Sequence, residues 1–376
     1  MPTSVLIEVG EGNLREGVNS FLRSILEKKM LDALLVPLEL PSGGMTAPAL
    51  VSDPAMLGNA NPLAPIMTVS TARLASSLTK VAASQRKVGV VLRPCELRAL
   101  IELIKLKQAS RENLVFIGVD CYGTCSVKDY NRLCQETPAP AEELLKRVKS
   151  GDESLLRDAC RVCEYPAPIN ADIAIGLIGT DTGKGFLVRA DSAEGESVLE
   201  GLGLKPGVAV PEKEREKAVA ELAASRTKNK NELYSRFEVE TTGVDNLLSV
   251  FSACVNCHNC RVACPLCYCR ECFFDSATFD WEAEKYLGWA EKRGAVRLPA
   301  DSLLFHLTRL NHMATSCVGC GLCQEACPND VPVFPIFRKV GEELQKMFGY
   351  VPGRSLEDEL PLSVFREEEL GEVGES

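Results

Sequence analysis

Three histidines and two tryptophans in 376 residues leave little material for a histidine-based active site. His306 and His312 lie about one and a half helical turns apart, on different faces, and make no i, i+4 metal pair. His258 lies between cysteines and suits a hydrogen bond to a metal-bound sulfur rather than the role of a triad base. No apolar run approaches the length of a membrane span, and no charged n-region with an apolar core opens the chain. A formal charge of -10 lacks the basic surplus of a nucleic-acid surface. The glycine-rich stretch GLIGTDTGKGFLVR has neither Walker nor Rossmann spacing. These absences lead to the expectation of a cytoplasmic protein without a membrane span or nucleic-acid partner, acting on proteins or small redox molecules.

Cysteine is present in excess, with 17 along the chain. A chain of this length builds its core without disulfide staples, so in a reducing compartment the cysteines signal metal or redox chemistry. Their distribution is uneven: six lie before about residue 165, none between there and 253, and eleven between 254 and 327.

The first part reads as α/β. The runs SVLIEVG (4–10), KVGVVLRP (87–94), LVFIGVD (114–120) and ADIAIGLIG (171–179) alternate with helical patterns such as CELRALIELIKL. The charged, Ala-rich stretch 211–235 has almost no apolar stripe and reads as a solvated helix and connector. From about 245 helices surround cysteine loops. In DSLLFHLTRLNHM, Asp301 is placed to cap a helix carrying Leu303, Leu304, Leu307, Leu310 and Met313 along one face. A further amphipathic helix is expected over about 335–348, stopped by Gly349. Residues 355–376 carry eight acidic residues against the single Arg366, the pattern of an acidic flexible end.

Cys254, Cys257, Cys260 and Cys264 before Pro265 form C-x2-C-x2-C-x3-C-P, and Cys317, Cys320, Cys323 and Cys327 before Pro328 repeat it. In such tandem motifs three thiolates wrap one 4Fe-4S cubane and the fourth reaches the neighbouring one. That swap groups Cys254, Cys257, Cys260 and Cys327 around one cluster, and Cys317, Cys320, Cys323 and Cys264 around the other. Gly319 and Gly321 suit a loop passing close to the inorganic core. Paired structural zinc sites are the alternative, but those show two C-x-x-C knuckles rather than a four-cysteine run ending in proline.

In the first part, Cys95 follows a strand and Pro94 at a helix start, where the dipole favours a thiolate. Cys121 ends the strand LVFIGVD, and Cys160 with Cys163 forms a C-x-x-C after the helical pattern ESLLRDA. A thioredoxin-type pair would begin its helix instead.

The passages VGVVLRPCELRALIEL, IGVDCYGTC and CRVCEYPAPINADIAIGLIGTDTGKGFLVR, with the tandem motif, resemble the beta subunits of the deazaflavin-reducing hydrogenases and formate dehydrogenases. The order of parts is most similar to the formate dehydrogenase beta subunit. The resemblance covers roughly residues 85–190 and 250–340. It implies an α/β (α+β) flavin and iron-sulfur domain over 1–240, a mostly helical tandem 4Fe-4S ferredoxin domain over 245–350, and an acidic tail over 351–376. It further implies FAD and a third cluster on Cys95, Cys121, Cys160 and Cys163. Cys125 departs from the pattern, where an apolar residue is expected, and leaves the fourth ligand open; a zinc site on Cys121, Cys125, Cys160 and Cys163 is the alternative. Taken alone the glycine-rich piece is a β-turn. The resemblance turns it toward flavin contact through Thr182, Gly183, Lys184, Gly185 and Arg189.

Five cysteines then lack a cluster: Cys125, Cys134, Cys267, Cys269 and Cys272. They are either small apolar fillers, the last three beside Phe273 and Phe274, or ligands of a further metal site that would make four clusters. The expected function is an oxidoreductase subunit joining a hydride carrier, deazaflavin or nicotinamide, to one-electron carriers. No motif for a nickel or molybdopterin centre is present, so formate or hydrogen chemistry would sit on a catalytic alpha subunit, with heterodisulfide-reductase-like subunits as further partners. A flavin-free electron-transfer adaptor is the rival reading, and a zinc-stabilised scaffold without redox function a third.

Overall fold

The computed structural model describes all residues except 1–3, 11–12, 205–211, 297–298 and 364–376, so the end of the acidic tail lies outside the described residues. The four β-branched runs form strands as expected: β1 (Ser4–Glu8), β4 (Val88–Leu92), β5 (Leu114–Val119) and β6 (Ile173–Gly176). Three more complete the sheet: β2 (Ala33–Glu39), β3 (Thr46–Val51) and β7 (Gly185–Ala190). The order is β1-β7-β6-β5-β4-β2-β3. The inner strands β2, β4, β5 and β6 run parallel, while β3, β7 and β1 pair antiparallel at the two sides. The glycine-rich piece is therefore a hairpin loop whose second half, GFLVR, belongs to β7.

The strands' two-residue period sorts their side chains onto two cores. Val115, Ile117 and Val119 of β5 face Val18, Leu22 and Ile25 of α1 (Leu14–Glu27). Leu114 and Phe116 face the opposite side, covered by α2 (Thr71–Thr79) and α3 (Pro94–Lys105). Leu97, Leu100 and Ile101 of α3 are fully buried there, each worth about 2 kcal/mol of removed apolar surface. Beyond β5 the chain runs through α4 (Val127–Glu136), α5 (Pro140–Lys149) and α6 (Asp158–Arg161), and α7 (Ala193–Gly201) follows β7. The helix expected over ESLLRDA is only the single turn of α6. Ser154 turns back on Asp152, and Leu156 bridges to Cys125, so the chain bends just before the C-x-x-C.

The remaining helices are α8 (Glu212–Thr241), α9 (Val244–Val250), α10 (Asn259–Ala263), α11 (Ala283–Arg293), α12 (Ser302–Met313), α13 (Leu322–Glu325) and α14 (Val333–Met347). α14 ends as expected, with Gly349 at φ +56°. α8 is more than a solvated connector. It buries Arg215, Arg226, Lys230, Tyr234 and Phe237 along one side, with Arg215 in a two-armed ion pair to Asp120 at 2.5 and 2.8 Å. The stripe escapes a hydropathy reading because it is mostly charged.

The cysteine-rich half shares the second core. Val318, Met313, Ile336 and Phe337 pack with Leu97, Leu100 and Phe116. Arg98 donates to the carbonyls of Pro352 and Val318, and Glu102 accepts from Tyr350 Oη and the Gly353 amide. Residues 350–354, expected to lead into a free tail, thus dock on α3.

Candidate functional site

The carboxyl ends of β4, β5 and β6 open onto a crevice, where open α/β sheets place ligands. β4 runs out into Arg93-Pro94-Cys95 and β5 into Asp120-Cys121. The C-x-x-C reaches the same place on the bend after α6. Cys95, Cys121, Cys160 and Cys163 line one cavity of about 390 Å³, together with Arg157, Arg226, Gly319 and Cys320. Cys125 does not line it. Its buried thiol donates to the Pro65 carbonyl at 3.0 Å among Ala64, Ile66 and Tyr130. A single zinc ion holds four thiolates about 3.8 Å from one another. Among the described residues no three His, Cys, Asp or Glu side chains converge closely enough to hold one ion.

Burial pushes the Cys95 and Cys163 thiols up and Cys121 up to about 11. Cys160 goes the other way. Burial opposes its thiolate, but the Arg157 guanidinium and the Thr124 hydroxyl and amide, both 3.3 Å from its sulfur, outweigh burial and lower its pKa. A sulfur that already accepts hydrogen bonds is prepared as a metal-bound thiolate. Neither Arg157 nor Arg226 stood out in the sequence; the only trace of Arg157 is its place three residues before Cys160.

Cys320 leads from this cavity into the tandem motifs. Gly321 has φ +71° and so little space that a Cβ would lie 2.3 Å from Ala159 Cβ, so the absence of a side chain lets the second motif's loop touch α6. Arg157 spans the junction, donating to the Cys320 carbonyl at 3.4 Å. Burial raises the thiols of Cys317, Cys320 and Cys323, and in each case Cys264 adds to the rise, which sets Cys264 beside the second motif. Cys254, Cys257, Cys260 and Cys327 line another cavity, with His258 and His306. Cys254, Cys257, Cys260 and Cys327 thus lie in one place, and Cys264 lies near Cys317, Cys320 and Cys323 in another.

The polar support around the first motif differs from expectation. α12 turns Phe305, His306, Arg309 and Met313 inward and leaves Leu304 and Leu307 exposed. Asp301 stands at the N-cap without a side-chain cap bond and instead accepts from Asn256 at 2.7 Å. His306 stacks on Phe251 with its Nε2 3.3 Å from Cys254 Sγ. Burial and the nearby Arg309 hold it neutral, with a pKa lowered to about 3. His258 pairs through Nδ1 with Asp275 at 2.8 Å, while its buried Nε2 has no protein partner.

Of the spare cysteines, Cys267 is half-buried in the second core and Cys272 beside Phe274. Cys134 packs beside Tyr130, and Cys269 is exposed.

A second cavity, of about 520 Å³, adjoins the first and shares Arg93, Cys121 and Gly123 with it. Leu63, Leu144, Leu145 and Leu177 wall it, Arg93, Asp120 and Glu142 are its charged residues, and α5 covers it. Arg93 is buried, bonded to the Ala64 carbonyl and paired with Glu96. Thr182, Gly183, Lys184, Gly185 and Arg189 do not line this cavity. Lys184 pairs with Asp181 at 3.0 Å in the β6–β7 loop, Gly185 sits in the strand pairing, and Arg189 is held by Asp191 at 2.6 and 2.9 Å. The loop reaches the covering helix through Lys149 Nζ, 3.3 Å from Thr182 Oγ1.

Residues 250–331 match the model of the 4Fe-4S dicluster domain family. The F420-dependent formate dehydrogenase subunit beta of Methanocaldococcus jannaschii is 27% identical over 367 residues, covering 89% of this chain and 91% of the relative. The F420-dependent formate dehydrogenase 1 subunit beta of Methanococcus maripaludis is 26% identical over 306 residues, 73% of this chain and 74% of the relative. A chain of the F420-reducing [NiFe] hydrogenase complex from Methanosarcina barkeri superposes with a TM-score of 0.46 at 15% identity, covering 65% of this chain and 94% of that one. Among the described residues no helix is long and apolar enough to cross a membrane.

Proposed function

We propose that this formate dehydrogenase beta-subunit-like chain is the electron-transfer subunit of an oxidoreductase complex, joining a hydride carrier to a catalytic alpha subunit of formate dehydrogenase or hydrogenase type. The observation that carries the reading is the unbroken series of sites: an apolar cavity, a four-cysteine cavity sharing Cys121 with it, and two further cysteine groups entered through Cys320.

In this reading Cys95, Cys121, Cys160 and Cys163 hold a cubane. A second rests on Cys264, Cys317, Cys320 and Cys323, and a third on Cys254, Cys257, Cys260 and Cys327. FAD would place its ring against Leu63, Leu144, Leu145, Leu177 and Arg93. Thr182, Gly183, Lys184 and Gly185 stand outside that cavity, beside the helix covering it, where amides and a cation suit phosphate, while Arg189 is already taken by Asp191. When bound, a flavin takes two electrons as hydride and releases them singly. The chain's residues do the rest. The leucines exclude water from the ring, Cys121 touches both cavities, and Arg157 ties the first cubane site to the second. Deazaflavin, named in the relatives' F420 dependence, is the proposed hydride carrier; nicotinamide is the other candidate, and heterodisulfide-reductase-like subunits are further partners.

Purification without oxygen, followed by iron analysis and chromatography of released flavin, tests this. About 12 iron atoms and about one FAD per chain are expected. Intact clusters without flavin would turn the reading into the adaptor, and an iron-free zinc protein would end it.

A further inference from the structure

Arg309 is 4% exposed, yet its Nε and Nη1 have no hydrogen-bond partner and no carboxylate pairs with it among the described residues. The guanidinium lies over the Phe337 ring at 4.6 Å, held by α12 against α14. A buried, unpaired cation is costly, and a fold keeps one only where negative charge answers it. The groups that act on this cation are thiols. Cys264 and Cys323 come from the second cysteine group, Cys260 from the first, and Cys267 lies beside them. Negative charge arrives at this place when the cysteines become cluster thiolates. Reducing a cubane adds one more negative charge to the same place.

Resting on the cluster assignments above, we infer that Arg309 is the buried counter-charge of the tandem clusters. It raises their reduction potentials, most for the cluster on Cys264, Cys317, Cys320 and Cys323, which contributes two of the sulfurs facing it. A nearby buried cation stabilises the reduced, more negative state. Arg309 is thus a positioning and tuning residue, one that contacts no substrate.

The test is a spectroscopically monitored redox titration of the full-length holoprotein and of Arg309→Gln, Arg309→Met and Arg309→Lys, each with its iron content. In the Gln and Met chains the ratio of reduced to oxidised cluster at fixed ambient potential should fall at least tenfold for one ferredoxin-type cluster. That is about 59 mV for a one-electron couple. The other should fall less, and the Lys chain should stay close to wild type. Met keeps an unbranched apolar stem and lacks the charge, a kind of replacement that buried ion sites often tolerate, so it answers the question if Gln loses iron. Unmoved potentials with full iron overturn the inference, as does loss of iron from all three variants, which would make the guanidinium a requirement for cluster retention instead. Wild-type protein without iron would instead defeat the cluster reading itself.

Discussion

At the scale of single residues, cysteines four apart have separate surroundings. Cys121 lines the four-cysteine cavity, whereas Cys125 points its thiol at a backbone carbonyl, and burial raises its pKa to about 12. Cys125→Ala should therefore keep the full iron complement, while Cys95→Ala should lose about 4 iron atoms, one cubane's worth. Iron analysis on anaerobically purified protein decides, and the opposite pattern would move the fourth ligand to Cys125. The tandem motifs were legible in the sequence because their spacing alone brings the ligands together. Cys95, Cys121 and the C-x-x-C were legible only through resemblance, since three separate strand and helix ends bring them together. Arg157, Arg226, Arg309 and His306 were not legible, because a cation or imidazole aimed at sulfur looks in sequence like any polar residue on a helix.

At the scale of elements, α8 and α14 show why a hydropathy reading fails for a helix that packs through ions. Glu342 of α14 accepts from Lys230 at 2.8 Å and from Tyr234 Oη at 3.1 Å, both on α8, and Lys346 adds a third contact at 2.9 Å. Lys230 also reaches Glu164 at 2.7 Å, just after the C-x-x-C, so the network fixes the loop that carries Cys163. Burial works against the carboxylate, but these donors and Arg338 outweigh it and lower its pKa from 4.5 to about 2. A depressed folded-state pKa contributes stability that is fully present above the unfolded value and is lost as pH falls toward the folded one. Glu342→Gln should therefore cost about 2 kcal/mol at pH 7. The gap to wild type should hold down to about pH 5 and close between about 4.5 and 2. Denaturant unfolding followed by helical circular dichroism across that range measures it; a gap independent of pH would mean that shape, not charge, holds the two helices together. α12 makes the related point at the other end of the chain: of the face its leucines suggested, Leu303, Leu310 and Met313 pack on the second core while Leu304 and Leu307 are exposed, and an Arg and a His also turn inward.

At the scale of the whole molecule, the two halves expected from composition share packing through α8 and the second core. α8 packs on the sheet domain through Arg215 and Arg226 and on the cysteine-rich half through Lys230, so it clamps both. The second core runs without a break from β5 and α3 to α14, and α3's buried Arg98 and Glu102 satisfy backbone groups of residues 318, 352 and 353. A rigid junction serves a relay because single-electron steps depend on fixed distances between carriers, and here the junction lies where Gly321 meets Ala159 and Arg157 meets Cys320. Opening it would exchange the Arg98 and Glu102 hydrogen bonds for water, a net loss of about 0.5–1.5 kcal/mol each and more for charged groups, while exposing apolar core. Separation of the halves should then be as unfavourable as unfolding either one. On heating the intact holoprotein without oxygen, cluster absorbance and far-ultraviolet circular dichroism should be lost at coincident midpoints, in one transition. Two transitions several degrees apart would show that the ferredoxin-type part melts independently, and the relay would then depend on a docking equilibrium instead of on a shared core.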